Sequence, residues 1–178
     1  MNIHFGDELV DIKTLFKYNW YARRQFLKSM GEISWETVTE SCGASFDSIR
    51  DIYLHSLQME QIWIRRLSGK SIDGTYNTAF PEFQSVKLIQ AYTDTVEAEI
   101  NEFLDTLTDT TLKKVSELKG RDGKINYYSV EDILIHIIEE EIHHRGELIC
   151  IYWQHDIQPP YTSYMAYVGS RTSTPPLF

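Results

Sequence analysis

Apolar residues recur at helical spacing through four long stretches of this sequence, and turn-forming residues separate them. The first runs from about Asp7 to Met30, carries Leu9, Ile12, Phe16, Trp20, Phe26 and Leu27, and stops at Gly31. The second runs from about Ser45 to Leu67, led in by Gly43 and ended by Ser68-Gly69. The third begins near Pro81, a favourable first-turn residue, and continues through Val86, Ile89, Ile100 and Leu104 towards Leu107. The fourth starts at Ser129, whose hydroxyl can cap a helix with Asp132 three residues on, and ends near Gln154 ahead of Pro159-Pro160. Such helices hide their apolar faces most economically against one another, so the expected fold is all-α, a four-helix bundle.

Between the third and fourth helices, "KKVSELKGRDGKINYY" carries a Gly-Arg-Asp-Gly turn between short arms and predicts a small hairpin. "SGKSIDGTYNTAF" reads as a long surface loop. With 178 residues the chain fits one domain with a sizeable core, expected over residues 1–168, with 169–178 as a mobile C-terminal tail. The balance of 17 basic against 26 acidic residues, a net charge of −9, argues against a partner that is nucleic acid. No apolar run approaches the roughly 18 residues of a membrane span. The opening "MNIHFGDELVDIK" lacks the plan of a signal peptide. Cys42 and Cys150 stand 108 positions apart without a CxxC pattern, which predicts a reducing, cytoplasmic setting with each thiol as a small core residue.

The fourth helix contains "HIIEEEIHHRGEL", three histidines and four glutamates among aliphatic residues. Residues turn by roughly 100° each around a helix. With His144 at zero, Ile133, Ile137, Leu148 and Ile151 fall within about 40° of it, which puts His144 on the apolar stripe. Glu140 falls at about −40°, on the edge of that stripe; His136 and His143 lie near −80° and −100°, at its margin or outside. Glu139, Ile142 and Arg145 are expected to point away. In the second helix, Ile52, Met59 and Ile62 fall within about 60° of His55, so His55 also faces inward, with Asp51 one turn before it.

Burying two imidazoles and a carboxylate is costly if each stands alone. A divalent cation compensates all three, because imidazole nitrogen and carboxylate oxygen are its usual ligands. The pattern also admits a plainer reading, with His144 hydrogen-bonded in the core and the glutamates on a wet face. Glu140-x-x-His143 and Glu141-x-x-His144 fit one element of a di-iron carboxylate bundle, but the second element is missing. There is no HExxH for a zincin. A single-metal site is what remains.

These segments together resemble the DinB/YfiT superfamily of metal-binding four-helix bundles. The resemblance rests on "LFKYNWYARRQFL", on "LHSLQMEQIWI", and above all on "HIIEEEIHHRGELICIYWQHDIQPP", where a His-His-Arg-Gly element precedes an aliphatic stretch and a Pro-Pro near the helix end. It implies one metal ligand from the second helix and two from the fourth, one turn apart, and these positions fall on His55, Glu140 and His144. The family usually has histidine where this chain has Glu140. The set still suits one divalent ion, zinc or nickel first, with manganese or iron as alternatives. His136 or Asp51 remains open as third ligand, or as a group orienting His144 and His55.

The resemblance further implies a homodimer and a metal-dependent enzyme. The expected chemistry is transfer or isomerisation with a low-molecular-weight thiol, with metal-dependent hydrolysis or a non-enzymatic, metal-binding stress role as alternatives. No Gly-rich phosphate loop, GxSxG or cysteine pair offers another route, and no residue is singled out as catalytic. Trp20, Trp35, Trp63 and Trp153 are expected as anchors in the core or an interface. The tyrosines of "PPYTSYMAYVG" are expected to pack on the bundle, and Arg145 to form a surface ion pair, with help in binding an anionic substrate as the alternative.

Overall fold

The computed structural model of the chain describes residues 11–72, 80–119 and 122–171. Asp11 caps the first helix, α1 (Ile12–Met30), by accepting a hydrogen bond from the Thr14 amide. The start lies later than expected, because this short carboxylate satisfies an orphan amide of the first turn. A short helix, α2 (Trp35–Thr39), follows. Next comes α3 (Ile49–Leu67), capped by the fully buried Ser48 rather than starting at Ser45. Pro81 belongs to a separate 3-10 turn at Phe80–Glu82, and the third long helix, α4 (Val86–Asp105), starts at the Ser85 cap. A single turn, α5 (Asp109–Leu112), leads into the hairpin of β1 (Val115–Lys119) and β2 (Ile125–Ser129).

The strands are antiparallel, with Val115 opposite Ser129 and Glu117 opposite Tyr127, so the expected hairpin is present. Gly120 and Arg121 of its turn lie outside the described residues. Ser129 ends β2 and caps α6 (Val130–Gln154), with the Asp132 side chain returning a bond to the Ser129 amide. The last helix, α7 (Tyr164–Arg171), runs into the segment expected as a mobile tail; residues 172–178, most of the expected loop at 68–80, and Asp7 to Val10 lie outside the described residues. Tyr167 of α7 is buried against Tyr18 and Tyr21 of α1. No helix among the described residues is long and apolar enough to cross a membrane.

The all-α bundle is therefore as expected, and its centre is α3. Ile49, Ile52, Tyr53, Leu54, Leu57 and Ile64 are buried, while the half-open positions His55, Met59 and Trp63 recur every four residues. This is one face of the helix, and it borders α6. Replacing Ser48 with alanine removes the acceptor for the Asp51 amide at 3.2 Å. Loss of about 1–2 kcal/mol in urea unfolding is expected, since the site is sealed from water. An unchanged midpoint would show that this cap does not hold α3.

Burial on α6 corrects the angular reading. The buried set includes Leu134, Ile138, Glu141, Arg145 and Tyr152 beside the predicted Ile133, Ile137, His144, Leu148 and Ile151. The helix is wedged against both α1 and α3, so its covered arc is wider than one apolar stripe. Arg145 is thus no surface ion-pair partner: it donates to Asn19 Oδ1 and the Tyr18 hydroxyl, with its guanidinium over the Tyr18 ring. Cys150 and Trp153 are exposed rather than core, whereas Cys42, Trp20, Trp35 and Trp63 pack partly against the core.

A charged cluster fixes how α6 is turned. Arg23 of α1 is buried between Glu60 of α3 and Glu141 of α6, donating to both. Burial pulls its pKa down, but the two carboxylates outweigh this and hold the guanidinium protonated. Burial raises the Glu60 carboxyl, which also accepts from Trp20 Nε1 at 2.9 Å. Glu141 meets the same burial, yet the two-point contact with Arg23 and the nearby Arg145 hold it below the usual range. With Glu141 anchored, its neighbour Glu140 is turned towards the groove between α3 and α6.

Candidate metal centre

The groove is bounded by antiparallel helices. At one end the His55 and His144 rings stand edge to face, centroids 4.8 Å apart. Two turns along α3, Trp63 meets His136 in the same way at 5.6 Å. His144 is nearly sealed, its side chain 7% exposed, while Glu140 keeps 33%. One ligand atom each from His55, Glu140 and His144 lie within 4.8 Å of one another.

Glu147 gives this trio its direction. His144 Nδ1 stands 2.7 Å from Glu147 Oε2, which also accepts from the Ser45 hydroxyl at 2.8 Å. Burial acts to raise the Glu147 carboxyl, but these hydrogen bonds hold it below its usual range. An ionised carboxylate can only accept, so Nδ1 is the nitrogen that donates to Glu147, and in the neutral imidazole the lone pair is then on Nε2. Nε2 faces Glu140 Oε2 at 3.7 Å. Two electron-rich atoms held this way need a cation or a proton between them. A carboxylate behind a histidine is also how metal-binding imidazoles are commonly oriented. The donor set of two imidazoles and one carboxylate therefore fits a divalent ion.

Phe46 closes the site from the loop before α3. Its ring stacks on His55 with centroids 3.9 Å apart and stands edge-on to His144 at 5.9 Å. Three protein ligands leave coordination positions for water or a small molecule.

Neither alternative third ligand belongs to this trio. Asp51 accepts from Arg50 Nε at 2.7 Å and is outside the trio. His136 forms a second possible group with Glu139 and Glu140, more exposed than the first. Glu147, not His136, orients His144. A third group joins His143, which is exposed, to His144 and Glu147. Both cysteines line a separate groove of about 350 Å³ with Gly146 and Glu147. Glu147 was within reach of the helix count, since it falls at about −60° from His144, beside Glu140. Ser45 and Phe46 sit in a loop whose geometry leaves no periodic signal.

The fold is a helical bundle with a trio of side chains that could hold a metal ion, and the comparisons with known proteins give it a family. The profile of the DinB family spans residues 5–173, so the chain belongs to the DinB family. It is 27% identical over 133 residues to the uncharacterized protein YizA of Bacillus subtilis (strain 168), covering 75% of this chain and 80% of that one. A DinB-like protein from Bacillus cereus ATCC 10987 has the same fold, with a TM-score of 0.65 and 17% identity over 85% of this chain and 95% of that chain. A conserved protein of Enterococcus faecalis shares it at a TM-score of 0.61 and 11% identity, over 81% and 96% of the two chains.

Proposed function

We propose that His55, Glu140 and His144 hold one divalent metal ion, zinc or nickel before manganese or iron, and that the protein is a metal-dependent enzyme using a low-molecular-weight thiol in an S-transfer or isomerisation reaction. The observation that carries the metal is the His144 ring held between two carboxylates, its Nδ1 2.7 Å from Glu147 Oε2 and its Nε2 3.7 Å from Glu140 Oε2, beside His55. When bound, an ion with open positions would hold a thiol as its thiolate near neutral pH, well below the free value of about 8.5.

The chain's own contributions are positional. Glu147 fixes the His144 tautomer, Phe46 keeps water from one side of the imidazole pair, and half-exposed Glu140 leaves the opposite side open to the groove. No cysteine belongs to the trio, which supports a diffusible thiol over a protein one. A second reading, metal-dependent hydrolysis, draws support from the donor set itself, since two histidines and one glutamate also serve catalytic zinc in hydrolases. A metal-binding stress role without turnover is the third. A homodimer in a cytoplasmic setting completes the proposal, and light scattering reads the dimer directly.

Cobalt(II) substitution separates the readings. Adding a small thiol such as glutathione or bacillithiol should produce a sulfur-to-cobalt charge-transfer band, and an epoxide or alkyl halide should be consumed only with thiol and metal together. Metal-dependent ester hydrolysis that needs no thiol would overturn the thiol reading in favour of the second. No band and no turnover of either kind would favour the third.

A further inference from the structure

A cleft of about 510 Å³ lies one turn of α6 from Glu140, lined by Trp63 of α3, Tyr128 of β2, and Asp132, Ile133 and His136 of α6. Its volume falls in the range of small-molecule sites. Another hollow of similar size, about 460 Å³ and lined by residues such as Leu67, Glu102 and Thr111, contains none of the trio or its neighbours. The Trp63 cleft is different because its His136 wall continues into the candidate centre. His136 offers a ring nitrogen within 4.8 Å of a Glu140 oxygen, and Glu140 is the groove-facing member of the trio.

The positions on α3 tell the same story. His55, Met59 and Trp63 share one half-open face of α3, which sets the cleft and the trio along the same side of that helix. Eight residues of helix separate His55 from Trp63, roughly 12 Å at the helical rise. A molecule with its body at Trp63 and a reactive head at the His55–His144 end of the trio would span that distance.

The chemistry of the wall selects the body. Trp63, Tyr128 and Ile133 offer aromatic and aliphatic surface, and the His136 ring stands edge-on to Trp63 at 5.6 Å. Asp132 is the wall's carboxylate, and it is held by the Ser129 amide and hydroxyl at the start of α6. Glu139 and Glu140 each offer a carboxylate oxygen within 4.8 Å of a His136 ring nitrogen, against the Arg66 guanidinium 4.9 Å from the Trp63 ring centroid, in a chain of net charge −9. Asp132, Glu139 and Glu140 together outnumber this one cation, so the net field disfavours an anion. We infer that the Trp63–Tyr128–His136 cleft binds the uncharged aromatic portion of a small-molecule substrate whose reacting end lies at the trio. Its status as a substrate site rests on the metal reading above; the binding of an aromatic molecule does not.

The test uses the full chain and the neutral fluorophore N-phenyl-1-naphthylamine. One saturable site is expected. Tyr128→Ala should weaken it by about five- to tenfold, the scale of one lost aromatic contact. His136→Trp, which fills the cleft from an exposed position, should weaken it by about tenfold or more. The sulfonated analogue 8-anilino-1-naphthalenesulfonate has the same rings with a negative charge and should bind about tenfold more weakly. Binding of the neutral probe should survive a chelator and His144→Ala. Unchanged affinity in both cleft variants would overturn the site, and equal or tighter binding of the sulfonate would overturn the uncharged class. Loss of the probe in His144→Ala would move the binding to the trio and also overturn the inference. Probe binding intact in wild-type protein that takes up no metal would support the cleft while overturning the metal reading.

Discussion

Arg23→Ala is expected to lower the free energy of unfolding by about 3–5 kcal/mol, the scale seen when one partner of a buried ion pair is removed. The reason lies in what stays behind. Glu60 and Glu141 are both buried, and without the guanidinium they face each other in a sealed interior. Each then disfavours ionisation of the other, so their folded-state pKa values rise above the unfolded value of about 4.3. A folded state that binds more protons than the unfolded one loses stability as pH rises. The deficit of the variant relative to wild type should therefore be smaller near pH 5 and larger near pH 7.5. Urea unfolding at both pH values reads this directly. A deficit below about 1 kcal/mol, or one that shrinks as pH rises, would show that Arg23 does not balance these carboxylates. Removing all three charges together, as Arg23→Met with Glu60→Gln and Glu141→Gln, should recover part of the loss, because the two carboxylates no longer oppose each other and Arg145, which loses Glu141, keeps its bonds to Asn19 and Tyr18.

That cluster also explains which parts of the fold could be read from the chain and which could not. The long helices show in the spacing of their apolar residues, and Ser129 with Asp132 marks the start of α6 to the residue. The other starts slip by several residues because short polar side chains choose them locally. Asp11, Ser48 and Ser85 each cap a helix, and the sequence around each offers nearby competitors such as Asp7, Ser45 and Pro81. The single-turn helices α2 and α5 are too short to repeat an apolar face. Arg145 was misplaced for a different reason. An angular count weighs apolar residues, and the arc of α6 that meets α1 is lined partly by charges satisfied across the interface. Arg23 itself sits in "YARRQFL" beside Arg24, whose side chain is half-exposed and pairs with Asp94 and Glu97. Nothing local distinguishes the two arginines; only the assembled bundle does.

The candidate centre divides in the same way. His144 lies on the apolar stripe of its own helix, and His55 on the stripe of another, so each could be singled out before either was placed. That they meet is a property of the antiparallel packing of α3 and α6, which the helix count does not contain. Glu147 stood in the quoted stretch and on the correct side of the helix, but a glutamate at a wet edge carries no signal until its partner is known. Ser45 and Phe46 enter through a loop that crosses the site.

The proposed centre makes a graded prediction. His55→Ala and His144→Ala should each reduce divalent-metal affinity by more than about 100-fold, since each deletes a ligand rather than a group behind one. Glu147→Ala should reduce it by about 10- to 100-fold, because His144 then loses the partner that holds its proton on Nδ1 and turns Nε2 to the ion. Glu140→Ala should fall with the ligands, while Glu140→Gln, which keeps an oxygen donor, should fall between. His143→Ala should leave affinity nearly unchanged, as its exposed ring lies outside the trio. Elemental analysis of protein purified without an affinity tag, followed by chelator competition on each variant, measures the series. About one ion per chain is expected in the wild type, held by the most buried of the three groups. Equal losses at His143 and His144, with His55 indifferent, would move the ion to the outer group of His143, His144 and Glu147, and the trio would then be a hydrogen-bonded core pair beside a solvated carboxylate.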